Sequence, residues 1–487
     1  MIDKVQGFKN ACTECLDTFS LHQLRVYGRE IGVDVPTKKK KGDLIADIVS
    51  ILAGELEPIE RSKLGAPVKN ERVDPDIERA IAKQRYVWFA GVEPQVHVTY
   101  FESHMGNRNP LVVQSSDNSM TYEQYQAQTI YSGQLEVIDD VPCLVSKDGD
   151  TNVDRLLVSI ELLRQYGLRE GDVITCHAYE KMGVWAAKNV LTINSLVPGT
   201  ETRFIYEEEE IGYPSKRIRF QTDGIESDTA KYMDYYLPIG FGQRCLISSA
   251  PKAGKSVFLR DLAKSISEKR RTAQLFVLLI DQSPELISSY QTFIQKGNLV
   301  ATTFENEADA HVFAAEFLLK RAKRYAEMGV DVVLIVDSLA KVAKAYNDTD
   351  FSVGGKTLPC GLESKTLHYV KKYFGAARAF ADKGSLTVIG SASFSTGDAM
   401  DDVLYSELSA IANAEIRLDE ALARRRVFPA VDLTASYSSC ADALLSEEEK
   451  SAEKYLREKV IPSFGEEKAR QIILSSANFD EFCQNMK

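Results

Sequence analysis

The chain has 487 residues, 44% hydrophobic and 26% charged, with a formal net charge of -11, which allows two or more domains with sizeable cores. The acidic balance excludes a chain-wide nucleic-acid-binding surface and confines any phosphate-backbone contact to local patches. No apolar run reaches the length of a membrane span, and Met1-Ile2-Asp3-Lys4 opens without a signal-peptide core, so no membrane association and a cytoplasmic location are expected.

Residues 14–54 read as a small helical unit. Leu21, Leu24 and Ile31 mark one short amphipathic helix, and Leu44, Ile45, Ile48 and Leu52 mark a second. Two helices of this size bury little alone, so they require a third element or a neighbour. Between them runs Lys38 to Lys41, which reads equally as a solvated loop and as a nucleic-acid contact. Cys12 and Cys15 form a lone CxxC without a second pair or a nearby histidine, so reduced thiols are expected there rather than a metal site. Residues 55–84 are charged and proline-containing, as in a linker. Residues 85–129 read as an insertion with strand content at Val96–Phe101 and no assignable role.

Short strands and turns follow over 130–200. Gln134–Val137 alternates, Val153–Ser159 follows a Gly-Asp turn, and Arg169–Asp172 is a turn before Val173–Thr175, a spacing that predicts a small OB-like β-barrel. Over 205–487 strands alternate with helices. Strands are predicted at Cys245–Ser248, Leu275–Ile280, Val332–Val336 and Leu386–Ile389. Ala315, Leu319, Ala322 and Ala326 form a helical stripe that Gly329 ends, and Ser446 with Glu449 forms a capping box. The fold class is α/β: a mainly parallel sheet binding its ligand at the carboxyl ends of its strands.

Pro251-Lys252-Ala253-Gly254-Lys255-Ser256, between an apolar strand and a helix, is a phosphate-gripping turn. Lys255 is expected on the outer phosphates and Ser256 on Mg²⁺. Asp337, at the end of a later strand, is expected to hold the metal's water shell.

Five strings, in order and spacing, resemble the Rho family of bacterial transcription termination factors: 238–244, 251–256, 337–347, 373–378 and 426–430. The resemblance covers about residues 205–487, with fainter matches in the barrel and N-terminal helices. It implies a RecA-type ATP-binding core, a hexameric ring, ATP with Mg²⁺, RNA on the barrel and through the ring, and RNA polymerase as the target. It also implies nucleotide-pocket roles for Gly240, Gly242, Gln243, Arg244, Lys252, Ala253, Gly254, Lys255, Ser256, Val257, Ser283, Asp337, Arg426 and Phe428, and RNA-contact positions at Gly355, Lys356 and Ala399.

Several positions depart from the family pattern. Gln282 stands where the family has the glutamate that polarises the attacking water, and a glutamine cannot take a proton. Ser283 replaces a pocket arginine. The arginine-finger position falls on Ser439 and an earlier arginine on Ala435, with no lysine or arginine between Arg426 and Lys450. In the barrel, Val141–Ser146 and Leu157–Ser159 lack the aromatic rings that stack bases. In the second pore loop a lysine becomes Ala399, beside Asp398. Three readings therefore compete: a nucleotide-binding family member with weak hydrolysis and weak RNA binding, serving as a regulatory partner in its own ring or in a mixed ring with an active Rho; a fully active ATP-driven RNA translocase; and a RecA-type ATPase unrelated to Rho, against which the five strings weigh.

Overall fold

The computed structural model describes residues 2–53, 55, 56, 59, 77, 81, 130–147, 155–181, 184–198, 203–221, 227–268, 273–295, 297–349, 356–381, 383–476 and 478–485. The insertion at 85–129 and most of the linker lie outside these. The chain divides into two compact units, residues 1–146 with 150–200, and 147–149 with 201–487.

In the first unit, helices Leu21–Glu30 and Lys41–Leu52 form where the apolar spacing predicts them. The third element they require is helix Ile2–Asp17, so residues ahead of 14 pack with the helical unit. Phe8, Cys12 and Leu16, four residues apart, line one face of that helix. They pack against Leu24, Tyr27, Leu44 and Ile48. Cys12 is thus a core residue. The basic run is partly neutralised within the unit: Lys39 pairs with Asp47, and Lys41 lies 3.2 Å from Asp17.

The same unit contains a closed five-stranded barrel: β1 (Ile130–Ile138), β2 (Val141–Ser146), β3 (Leu156–Leu157), β4 (Val173–Lys181) and β5 (Val184–Ile193), in the order β1-β2-β3-β5-β4. The strand expected over Val153–Ser159 is only two residues long among the described residues. Ser159 instead caps a short helix, Ile160–Tyr166, that Gly167 ends at φ 59°. Pro142, Cys143, Leu144 and Val145 of β2 are all buried, so this strand carries packing side chains.

The second unit holds β6 (Ile211–Gly212), β7 (Arg217–Ile218), β8 (Ile239–Gly240), β9 (Arg244–Ser249), β10 (Gln274–Gln282), β11 (Leu299–Thr303), β12 (Asp331–Asp337), β13 (Arg378–Phe380), β14 (Ser385–Ser393), β15 (Ala414–Leu418) and β16 (Tyr437–Ser438). The main sheet runs β11-β10-β12-β14-β9-β15-β16; its first six strands are parallel and β16 is antiparallel. All four predicted core strands lie inside β9, β10, β12 and β14. The central strands are nearly continuous runs of Val, Leu and Ile, as a sheet covered on both faces requires. Gly390 on β14 admits close packing: a Cβ there would lie 2.3 Å from Leu339 Cδ1. Helix Ala308–Ala326 covers one face with Ala315, Leu319 and Ala322 buried. At the carboxyl end of the chain, Ser446 and Glu449 form the predicted capping box. Among the described residues no helix is long and apolar enough to cross a membrane.

Candidate functional site

The parallel strands deliver their carboxyl ends to one edge of the sheet, where β9 turns into the phosphate loop and helix Lys255–Glu268 begins. The turn needs left-handed backbone at Lys252 (φ 64°) and at Gly254 (φ 93°). Glycine accepts that conformation without strain, and here it also makes room, since a Cβ on Gly254 would come within 3.3 Å of the Phe428 ring. The first turn of the helix leaves backbone N–H groups free at this point, the basis of anion binding at helix starts.

Three strand ends furnish the polar groups. Lys255 Nζ donates to Ser393 Oγ at the end of β14. Burial pushes the Lys255 ammonium below the ordinary lysine value, against the opposing pull of Asp337 and Asp401. Asp337, buried at the end of β12, accepts a hydrogen bond from Ser391 Oγ at 2.9 Å through Oδ1. Its Oδ2 is enclosed without a partner. An enclosed carboxylate oxygen calls for a ligand, and together with the Ser256 hydroxyl it fits an oxygen-coordinated Mg²⁺ and its waters. Gln282 closes the group from β10, its Nε2 donating to the Asp337 backbone carbonyl at 3.1 Å. Beside it, Lys341 Nζ lies 3.3 Å from Asp281 Oδ2. Ser283, next along the chain, acts on the backbone. Its Oγ accepts from Leu286 N–H and caps helix Pro284–Gln291.

A cavity of about 410 Å³ opens from the loop, lined among others by Ala253, Gly254, Val257, Asp261, Thr229 and Phe428. Val257 and Phe428 are 47% and 50% exposed. Arg426 is exposed close by in sequence, in left-handed backbone at φ 60°.

Not every expected pocket residue arrives here. Gly240, Gly242, Gln243 and Arg244 sit at the amino end of β9, about 17 Å of strand from the phosphate loop. Their expected place in the nucleotide pocket of their own chain is corrected. They are bound to each other and to their surroundings: Gln243 Oε1 accepts from Gly240 N–H at 2.6 Å, and Arg244 donates to the carbonyl of Ile411 at 2.7 Å. Ser439 is exposed at the same end, its amide donating to Asn413 O at 2.9 Å. Lys356 is exposed, and Gly355 lies outside the described residues. Ala399 opens helix Ala399–Ile411, capped by Asp398. Lys344 is paired with Asp398 at 3.1 Å and Asp401 at 2.9 Å.

Sequence reasoning missed Ser391 and Ser393, alternate residues on one face of β14, and Lys341. The run Gly390-Ser391-Ala392-Ser393 at a predicted strand end carried the signal for the serines.

A phosphate loop at the carboxyl edge of a parallel α/β sheet, with an acidic strand end beside it, defines a P-loop nucleotide-binding domain of the RecA type. Residues 229–438 match the ATP synthase alpha/beta family, nucleotide-binding domain. The transcription termination factor Rho of Salmonella typhimurium is 34% identical over 368 residues, which is 73% of this chain and 87% of that protein. The Rho of Micrococcus luteus is 35% identical over 333 residues, 65% of this chain and 48% of that protein. A prototypical ATPase from the type III secretion system of pathogenic bacteria superposes with a TM-score of 0.47 at 18% identity, covering 62% of this chain and 94% of that one. The chain belongs to the Rho transcription termination factor family, and it is an ATP-binding member of it.

Proposed function

We propose that this chain is a nucleotide clamp of the Rho family, binding ATP with Mg²⁺ while hydrolysing it slowly or not at all. The observation that carries this is the Gln282 amide against the Asp337 carbonyl. It occupies the place beside the metal-holding aspartate where a proton-accepting carboxylate is needed, while Lys255, Ser256 and Asp337 keep the phosphate and metal groups. Lys255 would hold the outer phosphates; Ser256 and Asp337 would hold Mg²⁺, which supplies charge neutralisation there. Lys252 and the free amides of the turn support the phosphate chain, and Phe428 with Val257 supports the base.

Ring assembly follows the family, with this chain as a regulatory subunit in a homo-hexamer or in a mixed ring with an active Rho. Ser439 faces away from its own phosphate loop, at the opposite end of the sheet, so a finger there serves a neighbouring subunit. Its loss deprives that neighbour of a group worth about 10³–10⁵ in rate. RNA binding is weakened as well. The buried β2 side chains offer no ring for stacking, a contribution of about 1–3 kcal/mol per base. Asp398 and Asp401 neutralise Lys344 where a pore loop would meet RNA. Action on RNA polymerase, if retained, then proceeds through assembly with an active partner.

The test compares ATP binding with RNA-stimulated phosphate release by the pure protein. Micromolar binding without release is expected. Robust turnover overturns the clamp and restores the ATP-driven translocase.

A further inference from the structure

The nucleotide cavity continues past the phosphate loop along one face of helix Lys255–Glu268. Val257, Asp261, Lys264 and Glu268 all line it, at the spacing of a single helical stripe. Asp261 lies one turn, about 6 Å, beyond Val257. The walls change character over that step. Near the loop they are apolar, formed by Val257 and the Phe428 ring, and both are half exposed, so a flat ring between them would be covered on two faces. One turn further they are polar. Thr229, on the facing helix Asp228–Tyr235, donates from Oγ1 to Asp261 Oδ2 at 3.4 Å. Burial pushes the Asp261 carboxyl above its ordinary value, against the opposing pull of Arg260, the Thr229 hydroxyl and Lys264, as for an acceptor partly withdrawn from water.

Lining the same cavity one helical turn beyond Val257, these groups would meet the edge of a base stacked on Phe428. A carboxylate only accepts, and a hydroxyl both donates and accepts. Adenine presents there an amino donor beside a ring-nitrogen acceptor. Hypoxanthine presents a carbonyl oxygen, which would face the carboxylate unpaired. We infer that Asp261, positioned with Thr229, selects adenine by accepting a hydrogen bond from its exocyclic amino group. This rests on nucleotide occupying the phosphate loop.

The experiment is equilibrium binding of ATP, ITP and GTP to the full chain and to Asp261→Asn, Thr229→Val and Lys255→Ala variants. A site that hydrogen-bonds a substrate group rejects an analogue lacking it by about tenfold or more. The full chain is expected to prefer ATP to ITP by at least that factor. Asp261→Asn, whose amide can donate to the carbonyl of hypoxanthine, brings the ratio to within about twofold, with a thermal melt reporting that it folds. Thr229→Val narrows the ratio in part. Lys255→Ala weakens all nucleotides together and leaves their ratio intact. Equal binding of ATP and ITP by the full chain, an unchanged ratio in Asp261→Asn, or tightest binding of GTP each overturn the assignment of Asp261. Failure of every nucleotide to bind overturns the nucleotide reading beneath it.

Discussion

The sharpest perturbation available installs a glutamate at 282 and an arginine at 439, the two groups whose loss the proposed clamp rests on. Gln282→Glu removes the donor of the 3.1 Å bond to the Asp337 carbonyl and sets a second acceptor against it. The loss of one neutral hydrogen bond costs about 1 kcal/mol of stability, a fall in Tm of about 1–3 °C for a unit of this size. Ser439→Arg is made at an exposed position and costs little. For catalysis the balance is reversed. A finger supplies about 10³–10⁵-fold, equal to about 4–7 kcal/mol at 1.36 kcal/mol per decade. Because Ser439 and Gln282 sit at opposite ends of the sheet, the two changes act on different copies. Phosphate release is therefore measured for each single variant, for the double variant and for a mixture of the two singles. The double variant is expected to exceed the unmodified chain by at least about a hundredfold, and the mixture to recover part of that while each single alone does not. A double variant no faster than either single refutes the reasoning, as does an unmodified chain that already turns over quickly.

Lys255 loses its proton below the ordinary lysine value of 10.5 because burial disfavours its charged form. Nucleotide affinity, which needs that charge, should fall as pH rises through the depressed value, and Lys255→Met should both weaken binding and flatten the dependence in a fluorescent-nucleotide titration between about pH 7 and 10. Glu449 accepts from Arg217 at 2.8 Å and Arg219 at 2.9 Å. Burial raises its carboxyl, but the Ser446 amide and the two guanidiniums outweigh it and hold the group below its ordinary 4.5. Its stabilisation is complete above that ordinary value and is lost as pH falls through the lower, folded one. Glu449→Ala leaves the buried Arg217 without its carboxylate and should destabilise by about 3 kcal/mol in urea melts, with a smaller acid dependence than the parent. Gly390→Ala drives a methyl into Leu339 and should cost about 1–3 kcal/mol of stability in the same assay.

The strands of the core were legible because a buried parallel strand is a run of Val, Ile and Leu that few other structures tolerate, as at Val332–Val336. The phosphate loop was legible because its backbone demands fix Gly254 and its chemistry fixes Lys255. Helix Ile2–Asp17 was missed although Phe8, Cys12 and Leu16 keep helical period: its cysteines drew a chemical reading, and a three-residue signal gains meaning only from what it packs against. Helix Ile160–Tyr166 was missed because seven residues carry too few periods to outweigh the strand-like Leu156-Leu157-Val158 before them. Gly240 to Arg244 owed their expected pocket role to the resemblance alone; chain order already puts them ahead of the strand Cys245–Ser248, and the phosphate loop follows its other end. The partners Ser391 and Ser393 depend on pairing between β14, β12 and β9, contacts remote in sequence.

β9 joins two chemistries with one short rigid rod: the nucleotide-holding turn at its exit and the Gln243–Asn413–Ser439 cluster at its entrance. Changes at the entrance leave the backbone of the exit untouched. A substitution at the entrance therefore alters what the chain would offer a neighbour and spares the loop it uses itself. The turn that would grip a nucleotide and the cluster that would face a neighbouring copy are thus separable parts of one strand.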